Sequence, residues 1–175
     1  MLYTPSQVET TFLSIDYKEL RQIGYRVVLF DLDNTLAPYT ELTPSDTLKE
    51  SIKKIQESGY AIYIVSNNNN ERIRLFTKEL GLDGALAKAG KPNPDKILQF
   101  LKKRNIKTTE VIAVGDQLVT DILAYNRAGL YSVLVKTIDK KTQKWYTKIN
   151  RLREKKIIQK ICIENPEIGR KILEL

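Results

Sequence analysis

The 175-residue chain has no histidine and a single cysteine, Cys162. Without histidine, phosphohistidine chemistry, Ser-His-Asp and Cys-His catalysis and histidine-ligated zinc are excluded, so any reaction rests on carboxylates, hydroxyls and lysines. A lone cysteine forms no internal disulfide. Cys162 lies in a Lys/Ile-rich stretch with no base beside it, which reads as a half-buried thiol rather than a nucleophile. Long apolar runs are also lacking: none approaches the roughly 20 residues that cross a bilayer. The opening MLYTPSQVET has no basic segment followed by an apolar one, so it does not read as a secretory signal. These absences predict a cytoplasmic protein. No internal repeat or flexible linker interrupts the chain, and 42% apolar residues suffice for one ordinary core.

Charge is present in excess, but unevenly. Residues 1–135 carry a net +1, whereas residues 136–175 hold 12 Lys/Arg against 5 Asp/Glu. The chain therefore divides into a main domain, 1–138, and a basic helical tail, 139–175, packed on the same domain. From Lys140 to Ile161 the tail reads as a helix with Trp145, Ile149 and Leu152 at spacings of four and three. Two readings stand side by side. Tryptophan with a basic face suits peripheral contact with an anionic membrane, here the inner face; the same stripe also suits a helix packed on its own domain. Nucleic acid is disfavoured, because interleaved stacking aromatics are not evident.

Four short β-branched runs, Arg26–Phe30, Ala61–Val65, Val111–Val114 and Ser132–Val135, predict buried parallel strands, with a fifth near Ala85–Ala87. Helical periodicity falls between them. Leu48, Ile52 and Ile55 share a face in 47–57 behind a Ser45 or Thr43 cap, and Ile73, Phe76 and Leu80 do so in 70–80. Further helices are predicted over 95–103 and 119–128, the last ended by Gly129. Strand and helix in alternation predict an α/β fold, a Rossmann-like three-layer sandwich around a mainly parallel five-stranded sheet. The working edge of such a sheet is the carboxyl end of its strands.

The segments at that edge are polar. The first strand runs into DLDNT, the second into SNNNN, the third into GDQLVTD. Asp31 and Asp33, one residue apart at a partly desolvated strand end, repel each other and call for a cation or phosphoryl chemistry there. An Asx-type turn or helix cap is the plain alternative.

In this order the segments resemble the haloacid dehalogenase superfamily of aspartate-based phosphotransferases, over roughly Val27 to Val135. DLDNT matches the first family motif, Ser66 the second, Lys91 in AGKPNPD the third and GDQLVTD the fourth. The resemblance implies Asp31 as nucleophile and Asp33 as the acid that protonates the leaving alkoxide and then deprotonates water. It implies Mg²⁺ held by Asp31, the Asp33 main-chain carbonyl and Asp116. Ser66, with the Asn67 amide in support as a second phosphate-binding group, would hold a phosphate oxygen, unless Ser66 is only the cap of the next helix. Lys91 would clamp the pentavalent phosphorus, with Lys88 as the alternative if the loop is shifted. Asp121 would hold Lys91 in position or bind a metal-bound water. Asn34 stands where the family often has Gly. Thr35 and Thr120 read as loop fasteners, and Asn126 and Arg127 as a helix end and a surface cation.

The segments 36–60 and 67–90 leave no room for a cap domain. An uncapped site fits a large substrate, one at a surface, or one enclosed by a second copy in a homo-oligomer. FDLDNTLAPY and VGDQLVTDILAYNRAG are similar to the capless subclass IIIA, YqeG-like branch, which resembles mitochondrial and plastid phosphatidylglycerophosphate phosphatases. That likeness implies a phosphomonoester on a phospholipid head group. The alternatives are a soluble sugar or nucleotide phosphate, a phosphoprotein, or a non-catalytic binding module. A response-regulator receiver is disfavoured by the Asp31/Asp33 pairing.

Overall fold

A computed structural model of the chain describes residues 1–68, 70–139 and 145–175. Six strands form one parallel sheet: β1 (Gln7–Glu9), β2 (Val27–Phe30), β3 (Ala61–Val65), β4 (Gly84–Leu86), β5 (Val111–Gly115) and β6 (Tyr131–Val135), in the order β1-β6-β5-β2-β3-β4. The sheet thus has six strands rather than the five expected. The extra one, β1, is a three-residue edge strand beside β6, with a single buried residue, Val8, between two partly exposed polar ones. It is too short to show a period-two pattern.

The helices are α1 (Tyr17–Gln22), α2 (Asp46–Glu57), α3 (Asn70–Glu79), α4 (Asp95–Lys103), α5 (Leu123–Arg127), α6 (Trp145–Glu164) and α7 (Pro166–Leu173). Ser45, not Thr43, caps α2, its hydroxyl accepting the Leu48 N–H at 3.3 Å. A π-helical turn, Leu118–Ile122, leads directly into α5.

Alternation along the central strands fills both faces. Val28, Phe30, Ile62, Ile64, Ile112 and Val114 pack towards α2 and α3 through Ile52, Ile73 and Phe76. Val27, Leu29, Val65, Val111 and Ala113 pack towards α4 and α5 through Ile97, Leu101, Ala124 and Tyr125. Burial on both faces is why these strands read as continuous apolar runs. The second core also takes in Ile161 of α6 and Ile172 of α7. The expected stripe of Trp145, Ile149 and Leu152 falls outside the described side chains, and residues 140–144 fall outside the described residues altogether.

Register positions the working edge. Phe30 lies level with Ile64 on one side and Val114 on the other. Just past these positions Asp31, Ser66 and Asp116 therefore emerge side by side, on strands about 4.8 Å apart.

Candidate active site

Lys91 is the hub of that edge. Its Nζ donates to Asp31 Oδ1 at 2.8 Å and to the Val65 carbonyl at 2.9 Å, and pairs with Asp121 Oδ1 at 2.6 Å. The Lys91 and Asp121 side chains are each only 2% exposed. Burial pulls the ammonium pKa down, but Asp121 and Asp31 outweigh it and hold Lys91 well above its ordinary range. The Tyr125 ring lies beneath, its centroid 5.7 Å from Nζ. Lys88 is exposed, so the loop is not shifted.

The loop is set by two reciprocal bonds. Asn67 Nδ2 donates to the Lys91 carbonyl at 2.9 Å, and its Oδ1 accepts the Lys91 N–H at 2.8 Å. The Asn67 amide is thus committed to the Lys91 main chain, not aimed at a phosphate as the sequence suggests. Ser66 is buried, and its Oγ accepts the Asn68 N–H at 3.2 Å, closing the turn ahead of α3 rather than capping a helical N–H.

Asp121 is brought inward by the π-helical turn. Its Oδ2 accepts the Gln117 N–H at 3.1 Å, and the Ile122 N–H reaches back five residues to the Gln117 carbonyl. Gly115 makes room for this: a Cβ there would lie 2.5 Å from Asp121 Cβ. From α6, Glu154 accepts the Leu118 N–H at 2.8 Å and fastens the same turn.

Asp31, Asp116 and Asp121 each offer a carboxylate oxygen, all within 4.8 Å of one another. Burial, then the neighbouring Lys91, Asp121 and Asp33, leave the Asp31 pKa at about 7, the acids and burial raising it and Lys91 lowering it. Asp116 is raised well above its usual range by burial and by Asp121 and Asp31, with Thr137 pulling the other way. Among the described residues, neither Asp116 oxygen accepts a hydrogen bond of normal geometry, although both are buried. An orphaned buried carboxylate is costly. Three carboxylates around one ammonium leave two negative charges uncompensated, which is the charge of one divalent cation. The all-oxygen donor set fits a hard ion such as Mg²⁺.

Asp33 is partly buried and tethered on both oxygens. Arg72 Nε donates to Oδ1 at 3.1 Å, and Asn68 Nδ2 donates to Oδ2. Asn34 adopts φ 65°, the left-handed region that glycine and asparagine tolerate, which accounts for asparagine at a position the family often gives to glycine. Its carbonyl and side-chain oxygen accept the Ile138 and Asp139 N–H groups.

The secondary assignments divide. Thr120 bonds Gln117 as a loop fastener, but the buried Thr35 hydroxyl has no hydrogen-bond partner among the described residues. Asn126 ties down the Leu2 and Thr4 carbonyls, and Arg127 donates to the Pro92 carbonyl. Arg72, Asn68, Tyr125 and Glu154 escape sequence reading. Arg72 alone leaves a trace, a cation at the start of an amphipathic helix beside SNNNN.

A family model described as haloacid dehalogenase-like hydrolase matches residues 36–129. The chain belongs to that family. A relative from Bacillus subtilis, named "Probable phosphatase YqeG", is 30% identical over 89% of this chain and 90% of its own. The chloroplastic/mitochondrial phosphatidylglycerophosphate phosphatase 1 of Arabidopsis thaliana is 29% identical over 72% of this chain and 38% of that longer protein. Within this hydrolase family, the chain is accordingly a phosphatase of the YqeG-like branch. The same fold occurs in the crystal structure of an uncharacterized protein from Listeria monocytogenes serotype 4b, at TM-score 0.53 and 22% identity over 67% of this chain and 85% of that one.

Proposed function

We propose that the chain is a Mg²⁺-dependent phosphomonoester hydrolase that acts through an aspartyl-phosphate on phosphatidylglycerophosphate. The observation that carries the reaction is the buried Lys91 bridging Asp31 and Asp121, beside an Asp116 whose oxygens, among the described residues, accept no hydrogen bond of normal geometry.

In this reading Asp31 attacks phosphorus with one oxygen while Lys91 holds the other and offsets charge on the equatorial oxygens. Ser66 donates its hydroxyl to a phosphate oxygen, and Asn67 keeps Lys91 in reach. Asp33 gives its proton to the departing alkoxide, then takes one from the water that attacks the aspartyl-phosphate. Asp31, the Asp33 main-chain carbonyl and Asp116 hold the metal, and Asp121 restrains Lys91. Bound Mg²⁺ supplies the positive charge that lets a carboxylate approach a phosphate dianion.

The lipid substrate is supported by the likeness to the Arabidopsis enzyme and by an edge that, among the described residues, carries no cap domain. Peripheral contact of the basic segment 136–175 with an anionic bilayer belongs to the same proposal, supported by its cations and the exposed Ile163 and Leu173.

The test compares turnover of phosphatidylglycerophosphate in mixed micelles with a panel of soluble sugar, nucleotide and protein phosphates. The lipid should give the highest kcat/KM, and Asp31→Asn should remove activity on every substrate. Preference for a soluble ester overturns the lipid assignment; an active Asp31→Asn protein overturns the nucleophile.

A further inference from the structure

The acid/base carboxylate is held by a side chain from a different element. Arg72, in the first turn of α3, donates Nε to Asp33 Oδ1 at 3.1 Å and Nη2 to the Pro38 carbonyl at 2.9 Å. Its guanidinium lies over the Phe76 ring, the carbon 4.6 Å from the centroid, and Phe76 is fully buried. The Arg72 and Asp33 side chains are 15% and 13% exposed, so the pair is largely withdrawn from water. Asn68 holds the other Asp33 oxygen.

A planar fork stacked on a buried ring has few rotamers left, and so has the carboxylate it grips. The Pro38 bond extends the grip to the segment leading out of the first motif. We propose that Arg72 is a positioning residue that sets the Asp33 carboxyl, together with the 33–38 loop, in line with the leaving oxygen of the substrate. The inference rests on the reading of Asp33 as the acid. In the assisted step the phosphorus–oxygen bond to the substrate breaks as the Asp31 oxygen–phosphorus bond forms. The Asp33 proton passes to the departing oxygen. A misplaced Asp33 therefore matters most for a poor leaving group and little for one that departs unaided.

The experiment measures kcat/KM, which covers the transfer to Asp31, on aryl phosphates from p-nitrophenyl to phenyl phosphate. Wild type, Arg72→Gln, Arg72→Lys, Asn68→Ala and Asp33→Asn are compared, each checked for folding by circular dichroism and thermal melting. Arg72→Gln should lose about 3-fold or less on p-nitrophenyl phosphate and roughly 10-fold or more on phenyl phosphate, with Arg72→Lys between it and wild type. Asp33→Asn should show the same trend more steeply. An equal loss on every ester in Arg72→Gln, with the trend kept in Asp33→Asn, overturns the positioning role and leaves the acid assignment standing. A flat Asp33→Asn series overturns the acid assignment itself. Should Arg72→Gln not fold, the slopes for Arg72→Lys and Asn68→Ala decide the matter by the same criterion.

Discussion

Asp31, Asp116 and Lys91 are legible through the family motifs they match in order, since a carboxylate after a strand or a lysine before proline is unremarkable by itself. The groups that hold them are not. Tyr125 looks like any helix residue, and Glu154 like one more charge on a basic helix; only the fold brings them in from 34 and 63 residues beyond Lys91. Asn67 shows the opposite error: a polar side chain beside a phosphate-type motif reads as a ligand contact, whereas its amide is consumed by the Lys91 main chain. Gly115 offers a test at this scale. A methyl group there would collide with Asp121, whose other contacts are the buried Lys91 and the Gln117 N–H. Gly115→Ala should cost about 1–3 kcal/mol in urea unfolding. The displaced Asp121 should also lower kcat on p-nitrophenyl phosphate by about 10-fold or more, as Lys91 loses its restraint. Unchanged stability and turnover would show that the turn yields freely.

At the scale of elements, the four strands β2, β3, β5 and β6 are predictable from β-branched runs, the edge strand β4 only as a short apolar stretch, and α2 to α4 from their apolar faces. The misses share a cause: too few residues to show a period. β1 has one buried residue, and α1 is six residues long. The π-helical turn escapes for another reason, since its extra residue per turn is imposed by the close approach of Gly115 and Asp121 rather than by local propensity. The α6–α7 hairpin reads in sequence as a basic tail packed on the domain, but the residues it buries are not legible, because the cations that dominate its composition conceal Ile161 and Ile172. Its two helices meet where Gly169 faces the Cys162 backbone, and a Cβ at 169 would lie 2.6 Å from Cys162 Cα. Backbone cannot swing aside as a side chain can. Gly169→Ala should therefore lower stability by about 1–3 kcal/mol, read from the shift in urea midpoint at constant m-value. Retention of the wild-type midpoint would mean that the hairpin contributes little to the core.

Across the whole molecule, the buried acids make stability depend on pH and on cations together. Asp31 titrates at about 7 when folded and near 3.9 when unfolded, so the folded state binds the extra proton between these values. By linkage, its contribution is fully present below the unfolded pKa and lost as pH rises through about 7. Asp116, raised by the same burial and neighbouring acids, acts in the same direction. Cation-free protein should accordingly gain stability from this site as pH falls from 8 to 5. Mg²⁺ in large excess should raise the melting temperature at pH 8, by an amount equivalent to about 2.7 kcal/mol at 100 times its Kd, and progressively less at lower pH. Parallel melting curves with and without Mg²⁺ check this, and a Mg²⁺ effect that grows on acidification would contradict the assigned site. The contact from Glu154 to Leu118 has a temporal corollary. During translation the four motifs leave the ribosome well before residue 154 does, so a nascent chain displays every reactive group while the turn bearing Asp121 still awaits its fastener. Competence to hydrolyse should then arrive only when α6 has settled onto the sheet, and not when the last motif emerges.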